Sequence, residues 1–200
     1  MTDTANPHPG RNRNRMLLLV IFAMFFGSML VAGVLRFSGW RPAGMKNHGE
    51  LLQPPVDLRT RIPRLADGGD YRWNPTARIW RIVLAPPDDC TDACAALARD
   101  IDVVWKLMGR NADQVDVLWL CAEPGCSAPP PLRDDPALRL LRPDPALRAL
   151  LPRVDATPAA GVDGMPVYVV DPNGFLILRY APGADPAGLR ADLAKLLKLI

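Results

Sequence analysis

The sequence predicts an α/β domain, a central mixed sheet flanked by helices, carried behind one N-terminal membrane-spanning helix. Three observations predict it. Residues 79–84 and 115–120 read as buried strands joined through an amphipathic stretch, the pattern of a right-handed βαβ unit with parallel strands. Residues 167–180 read as a hairpin followed by a leucine-striped helix, and residues 16–35 form an uncharged apolar run.

That run follows a polar segment, 1–15, with Arg11, Arg13 and Arg15 just ahead of it. Twenty apolar or small residues make a helix of about 30 Å, the thickness of a bilayer core. The run is too long for a signal-peptide core, and Val31-Ala-Gly33 is a weak cleavage site, so the segment reads as an uncleaved single-pass anchor. Arg36, Arg41 and Lys46 on the far side match the three arginines on the near side, so charge alone leaves the orientation tied. Residues 36–75 carry frequent Pro and Gly, from Pro42 to Pro75, and read as an extended tether that packs in part on a domain spanning 76–200. His48 lies in this tether; a lone linker histidine is ordinarily solvated rather than a metal ligand.

Composition bounds the function. Two hundred residues suit one domain plus an accessory segment, and a net charge of +3 with scattered arginines gives no basis for nucleic-acid binding. Four cysteines fall in two close pairs, Cys90/Cys94 and Cys121/Cys126, which suggests redox or metal use more than a disulfide-stapled miniature fold.

Pro86 and Pro87 stop the first strand, and Asp89 offers a helix cap just before Cys90. On the helix from about 90 to 108, Cys90 and Cys94 are four apart, on one face with Cβ atoms roughly 5–6 Å apart. Thiolates so placed suit a disulfide or a soft ion such as Cu(I), and the helix N-terminus favours the thiolate. A purely structural disulfide is the alternative. Leu97, Ile101, Val104, Trp105 and Met108 form the packing stripe of this helix, and Gly109 ends it.

Cys121 leaves the second strand at the same sheet edge as Cys90. With Cys126 it either closes a small disulfide, for which Pro124-Gly125 supplies the turn, or acts as a relay or extra soft ligand. Two similar runs, Asp135-Pro-Ala-Leu-Arg139 and Asp144-Pro-Ala-Leu-Arg148, each read as a short helical start with Asp as cap. Asp171-Pro-Asn-Gly174 then turns a hairpin, and the last helix starts near Asp185-Pro186 with Leu189, Leu193, Leu196, Leu197 and Ile200 on one side.

The order strand, cysteine helix, strand, Gly161-Val-Asp-Gly-Met-Pro166, hairpin, helix resembles the thioredoxin fold. The resemblance implies a cis bond before Pro166, with the backbone of Met165 exposed to pair with a partner chain, and so makes Met165 and Pro166 the substrate-binding candidates. The alternative is an ordinary trans proline opening a strand. Three residues between the cysteines, the anchor and Tyr168-Val-Val-Asp-Pro-Asn-Gly174 resemble the Sco/SenC family, copper-binding thioredoxin-like proteins that assemble cytochrome c oxidase. More closely, residues 47–55, 80–94 and 168–180 are similar to membrane-anchored, thioredoxin-like proteins of bacterial cytochrome oxidase gene clusters. The likeness covers roughly residues 45–200.

The resemblance implies an assembly factor on the inner membrane with its C-terminal domain in the periplasm. Cys90 and Cys94 are its catalytic and Cu(I)-binding candidates, and an oxidase subunit or another assembly factor its partner. One departure matters: Sco proteins complete the copper site with a histidine ahead of the last hairpin, and residues 161–167 contain none. His8 and His48 are the two histidines of the chain. Met165 stands near the missing ligand and has a soft thioether, yet methionine there is also plain packing. A general thiol-disulfide oxidoreductase and a non-catalytic scaffold are the competing readings.

Overall fold

The computed structural model describes residues 9–38, 47–87, 92–155 and 164–199. The chain divides into two compact units, the second beginning at Asn47. The first unit holds helix α1, Pro9–Phe37, of which Arg13–Phe37 is long and apolar enough to cross a membrane. Its described side chains are almost all exposed.

The second unit is built on a six-stranded sheet in the order β1-β6-β5-β2-β3-β4. The central strand β2 (Trp80–Leu84) pairs in parallel with β3 (Val115–Leu120), and helix α2 (Asp92–Lys106) connects them. On its other side β2 pairs antiparallel with β5 (Val167–Val170), which turns through Asp171–Gly174 into β6 (Phe175–Tyr180). The turn closes through the Asp171 carboxylate, which accepts the Phe175 N–H at 2.8 Å, and through Gly174 at φ 93°. A Cβ at Gly174 would lie 3.0 Å from both Arg59 and Trp73. Helix α5 (Pro186–Leu196) starts at the Asp185 cap, whose carboxylate accepts the Ala187 N–H, and buries Leu189 and Leu193. Ile200 lies outside the described residues.

Three elements differ from the sequence reading. Residues 47–57 are not tether: Glu50–Asp57 is β1, an edge strand paired with β6. Pro54 and Pro55 sit where the register shifts between Leu51 and Val56, which is where an edge strand tolerates residues without a ladder donor. The run from Asp135 does not start a helix; it turns once and becomes β4 (Leu138–Leu141), parallel to β3. The short helix of that region is instead α3 (Pro130–Arg133), whereas the run from Asp144 does form helix α4 (Pro145–Ala149), with Asp144 accepting the Leu147 N–H at 2.9 Å. Finally, among the described residues the one cis peptide bond is Gln53–Pro54, so the bond before Pro166 is trans. Gly164, at φ 116°, supplies the change of direction there, and the trans isomer is the lower in energy.

Two apolar layers cover the sheet. Trp80, Ile82 and Leu84 face the layer under α2 and α5, with Ala98, Ile101, Leu189 and Leu193. Val83, Leu118 and Tyr168 face the other, with Leu58, Leu147 and Leu151. Strand alternation places Arg81 on the second face, 1% exposed. Its Nε donates to the Tyr71 hydroxyl at 3.0 Å, and its Nη1 donates to the carbonyls of Asp171 and Pro172 at 2.9 and 3.0 Å. Tyr71 in turn donates to Asp116 at 2.7 Å, and Arg139 pairs with the same carboxylate at 3.1 Å. Burial, then the Asp116 charge, drive the Tyr71 hydroxyl well above its usual value, so it stays a donor. Arg81→Ala strands two turn carbonyls and breaks this network, and is expected to destabilise the domain by about 3–5 kcal/mol. Urea unfolding of the full chain in detergent measures it; a loss below about 1 kcal/mol would mean water replaces the guanidinium.

Candidate functional site

Of the residues singled out in the sequence, Cys90 lies outside the described residues, as does the Asp89 cap. Cys94 is in the first turn of α2, 5% exposed, and disulfide-bonded. It shares an apolar cluster with Cys121 and Met165. Cys121 follows β3 directly, its N–H donating to the Leu141 carbonyl at 3.1 Å, and a disulfide joins it to Cys126 with Cα atoms 5.8 Å apart. Cys121 is buried and Cys126 half-buried, at a small hollow of about 330 Å³ lined by Pro86, Pro87, Trp119 and the 122–127 loop. The parallel β2–β3 pairing accounts for this: both strands end at one edge, the edge at which open α/β sheets place their sites.

Met165 and Pro166 are both buried, Met165 to 5% exposure, so the Met165 side chain packs into the core rather than standing open. It also lines a cleft of about 520 Å³ between α2 and the start of α5, together with Tyr180. Among the described residues no group of three or more His, Cys, Asp or Glu is placed to hold a metal ion. Among the described residues the sulfur atoms of this region are those of Cys94, of the Cys121–Cys126 disulfide and of the Met165 thioether.

Two residues that the sequence reading passed over support this region. Arg148, from the second Asp-Pro-Ala-Leu-Arg run, donates from Nη1 to the carbonyls of Ala85 and Pro86 at 3.2 and 3.0 Å and pairs with Asp155 at 2.6 Å. It thereby fixes the backbone that leaves β2 toward the first cysteine pair. Asp192, 2% exposed on α5, accepts the N–H groups of His48 and Gly49 at 2.6 and 3.1 Å, the Tyr180 hydroxyl at 2.9 Å and the Lys195 ammonium at 3.0 Å. The His48 ring Nδ1 is 3.3 Å from the same carboxylate. The His48 backbone is thus tied to the domain while its ring stays 58% exposed. Gly49 is required because a Cβ there would come within 2.6 Å of the Tyr180 ring. An aspartate in a leucine-striped helix was the one signal in the sequence that something must satisfy a buried charge.

A mixed sheet with a cysteine-bearing helix after its central strand and a hairpin opposite defines a thioredoxin-like domain, here preceded by an apolar helix. The family model described as transmembrane-like, thioredoxin-like, C-terminal domain matches residues 80–200, and the chain belongs to that family. No curated protein matches it. Among solved structures it is similar to yeast Sco1 with copper bound, at 14% identity over 78% of this chain and 96% of that one, TM-score 0.52. It is similar to BsSco, described as a member of the Sco family of cytochrome c oxidase assembly proteins, at 12% identity over 76% and 98%, TM-score 0.52. Apo Sco1 from Thermus thermophilus matches at 20% identity over 79% and 99%, TM-score 0.51. At such identities the likeness is one of fold.

Proposed function

We propose that the chain is a membrane-anchored, thioredoxin-like assembly factor for cytochrome c oxidase, with its domain in the periplasm, that acts on a copper-site subunit through Cys90 and Cys94. The observation that carries this reading is the placement of Cys94: first turn of α2, at the sheet edge, disulfide-bonded, in one cluster with Met165. The copper-bound and oxidase-assembly descriptions of the Sco structures support the choice of partner. The apolar helix supports the anchor, and paired cysteines outside a reducing compartment support the orientation.

Burial divides the roles. Cys94 is too enclosed to meet a partner directly and is the resolving sulfur; Cys90 is the attacking one. A Cys90 thiolate attacks one sulfur of a partner disulfide, forming a mixed disulfide and releasing the other partner sulfur as thiolate. The Cys94 thiolate then attacks Cys90, the second partner thiolate leaves, and the pair ends oxidised while the partner ends as a dithiol. An external dithiol resets the pair. Copper enters as cargo: the reduced pair offers two thiolates, and Met165 offers a soft thioether near the place where Sco proteins carry their histidine.

Anaerobic Cu(I) titration of the reduced full chain against a chelator separates the two cargoes. Stoichiometric uptake lost in Cys90→Ser is expected if copper is carried. Thiol exchange with a partner disulfide but no uptake would restrict the function to redox handling of the subunit's cysteines. Neither activity, with oxidase assembly unchanged in Cys90→Ser cells, would overturn the proposal and leave a scaffold.

A further inference from the structure

A second disulfide sits at the same sheet edge as Cys94, and the proposed chemistry does not use it. Side chains alternate along β3, and Val115, Val117, Trp119 and, just past the strand end, Cys121 all fall in the apolar layer under α2. Cys94, in the first turn of α2, is buried in that same layer. Parallel pairing brings the ends of β2 and β3 together, so Cys94 and Cys121 share one side of the sheet at one edge. Cys126, bonded to Cys121, is half-buried and lines the hollow of about 330 Å³ with Pro86, Pro87 and Trp119. That hollow shares no lining residue with the cleft beside Met165. As a staple the bridge has little to gain: its cysteines are five apart, and the constraint that a disulfide places on the unfolded chain grows with loop length.

We infer that the Cys121–Cys126 disulfide is a second redox centre, through which a protein dithiol returns the Cys90–Cys94 pair to its reduced state. The inference rests on the proposed exchange chemistry of Cys90 and Cys94 and adds the route by which its electrons arrive. Burial assigns the order: Cys126 faces the hollow, and Cys121 shares the buried layer with Cys94. A thiolate of the external dithiol attacks the Cys126 sulfur, the Cys121–Cys126 bond breaks, and Cys121 leaves as thiolate. The second external thiolate attacks the first external sulfur, closing the external disulfide, and Cys126 leaves. The Cys121 thiolate then attacks the Cys94 sulfur, and Cys90 leaves as thiolate. Finally the Cys126 thiolate attacks Cys121, their bond forms again, and Cys94 leaves. Two electrons and two protons pass from the external dithiol, which ends oxidised, to Cys90 and Cys94, which end as thiols.

The test uses the oxidised full chain in detergent, with reduced thioredoxin as the protein dithiol. Samples are quenched in acid and alkylated, and mass spectrometry follows the label at Cys90 and Cys94. Their reduction is expected to slow at least about tenfold in the double variant Cys121→Ala with Cys126→Ala, because an intramolecular donor is lost. A bridge that only braced the fold would give the opposite sign, since a loosened domain exposes the Cys94 disulfide and speeds its reduction. The single variant Cys126→Ser reads the internal step directly: the Cys121 thiol has no resolving partner and is expected to be trapped in a cross-linked peptide with Cys94, Cys90 being alkylated. Reduction of the double variant at the wild-type rate or faster would overturn the inference. So would a Cys126→Ser chain in which Cys121 is alkylated and Cys94 remains paired with Cys90. Single-turnover reduction of a disulfide-bridged peptide by the pre-reduced double variant is expected at the wild-type rate, because it needs Cys90 and Cys94 alone. Its failure in both proteins would overturn the proposed function, while the reduction rate and the cross-link still decide this inference.

Discussion

Cys94→Ser is expected to trap the partner on the protein as a mixed disulfide through Cys90. The buried position of Cys94 in the first turn of α2 makes it the sulfur that ends a reaction rather than begins one. With serine in its place the mixed disulfide resolves only by thiols from solution. An intramolecular thiol acts at molar or higher effective concentration and solution thiols at millimolar, so release slows by on the order of 10³-fold or more. Non-reducing gels of membranes from cells carrying the full-length variant read the result: a shifted band that collapses on reduction, absent in Cys90→Ser. A band that survives in Cys90→Ser would assign the attack to another sulfur, and no band with normal turnover would remove Cys94 from the chemistry.

The second large effect concerns Asp192. Asp192→Ala leaves the N–H groups of His48 and Gly49 and the Tyr180 hydroxyl without their acceptor inside the protein. A loss of about 3–5 kcal/mol is expected, read from the urea midpoint of the full chain in detergent. The pH dependence gives an independent reading. Burial pushes this carboxyl up, but the Gly49 N–H, the Lys195 ammonium, the His48 N–H and the Tyr180 hydroxyl outweigh it and hold it at about 2, below the usual 3.8. A group whose folded value is depressed stabilises the fold fully above its unfolded value, and that stability is lost as pH falls through about 4 toward 2. The difference is on the order of 2 kcal/mol. Asp192→Asn removes this segment of the pH profile while keeping one acceptor oxygen. A wild-type profile flat from pH 4 to 2 would contradict the assignment.

This carboxylate has a structural role that bears on the cleft. It ties residues 48–49, at the start of the domain, to Tyr180 and α5, which both line the cleft beside Met165. Weakening it should therefore loosen the cleft as well as the fold.

Much of the domain was legible because its elements carry local signals. The strand of 80–84 stops at Pro86-Pro87, the hairpin turns at Asp-Pro-Asn-Gly, and Asp185-Pro186 opens α5; each is a property of a few adjacent residues. The cysteine pairs, the long apolar N-terminal helix and the thioredoxin-like order of elements were read in the same way. Cys90 itself lies outside the described residues, so its role rests on sequence and on the position of Cys94.

The clearest limit is the pair of Asp-Pro-Ala-Leu-Arg runs, identical over five residues. After Asp144 the run is a helix, and Leu147 is buried in the second apolar layer. After Asp135 its Leu138 and Arg139 enter β4, because β3 presents an unfilled edge opposite Val117 and Leu118. Likewise Glu50–Asp57, broken by two prolines, is a strand only because β6 offers its free edge. The trans bond before Pro166, the burial of Met165 and the partners of Arg81 and Asp192 belong to the same class. By itself the sequence determined the elements whose hydrogen bonds close within a few residues, together with the chemistry of the cysteines. Only the tertiary structure decided the edge strands and the buried charges, because their hydrogen-bond partners lie tens of residues away along the chain.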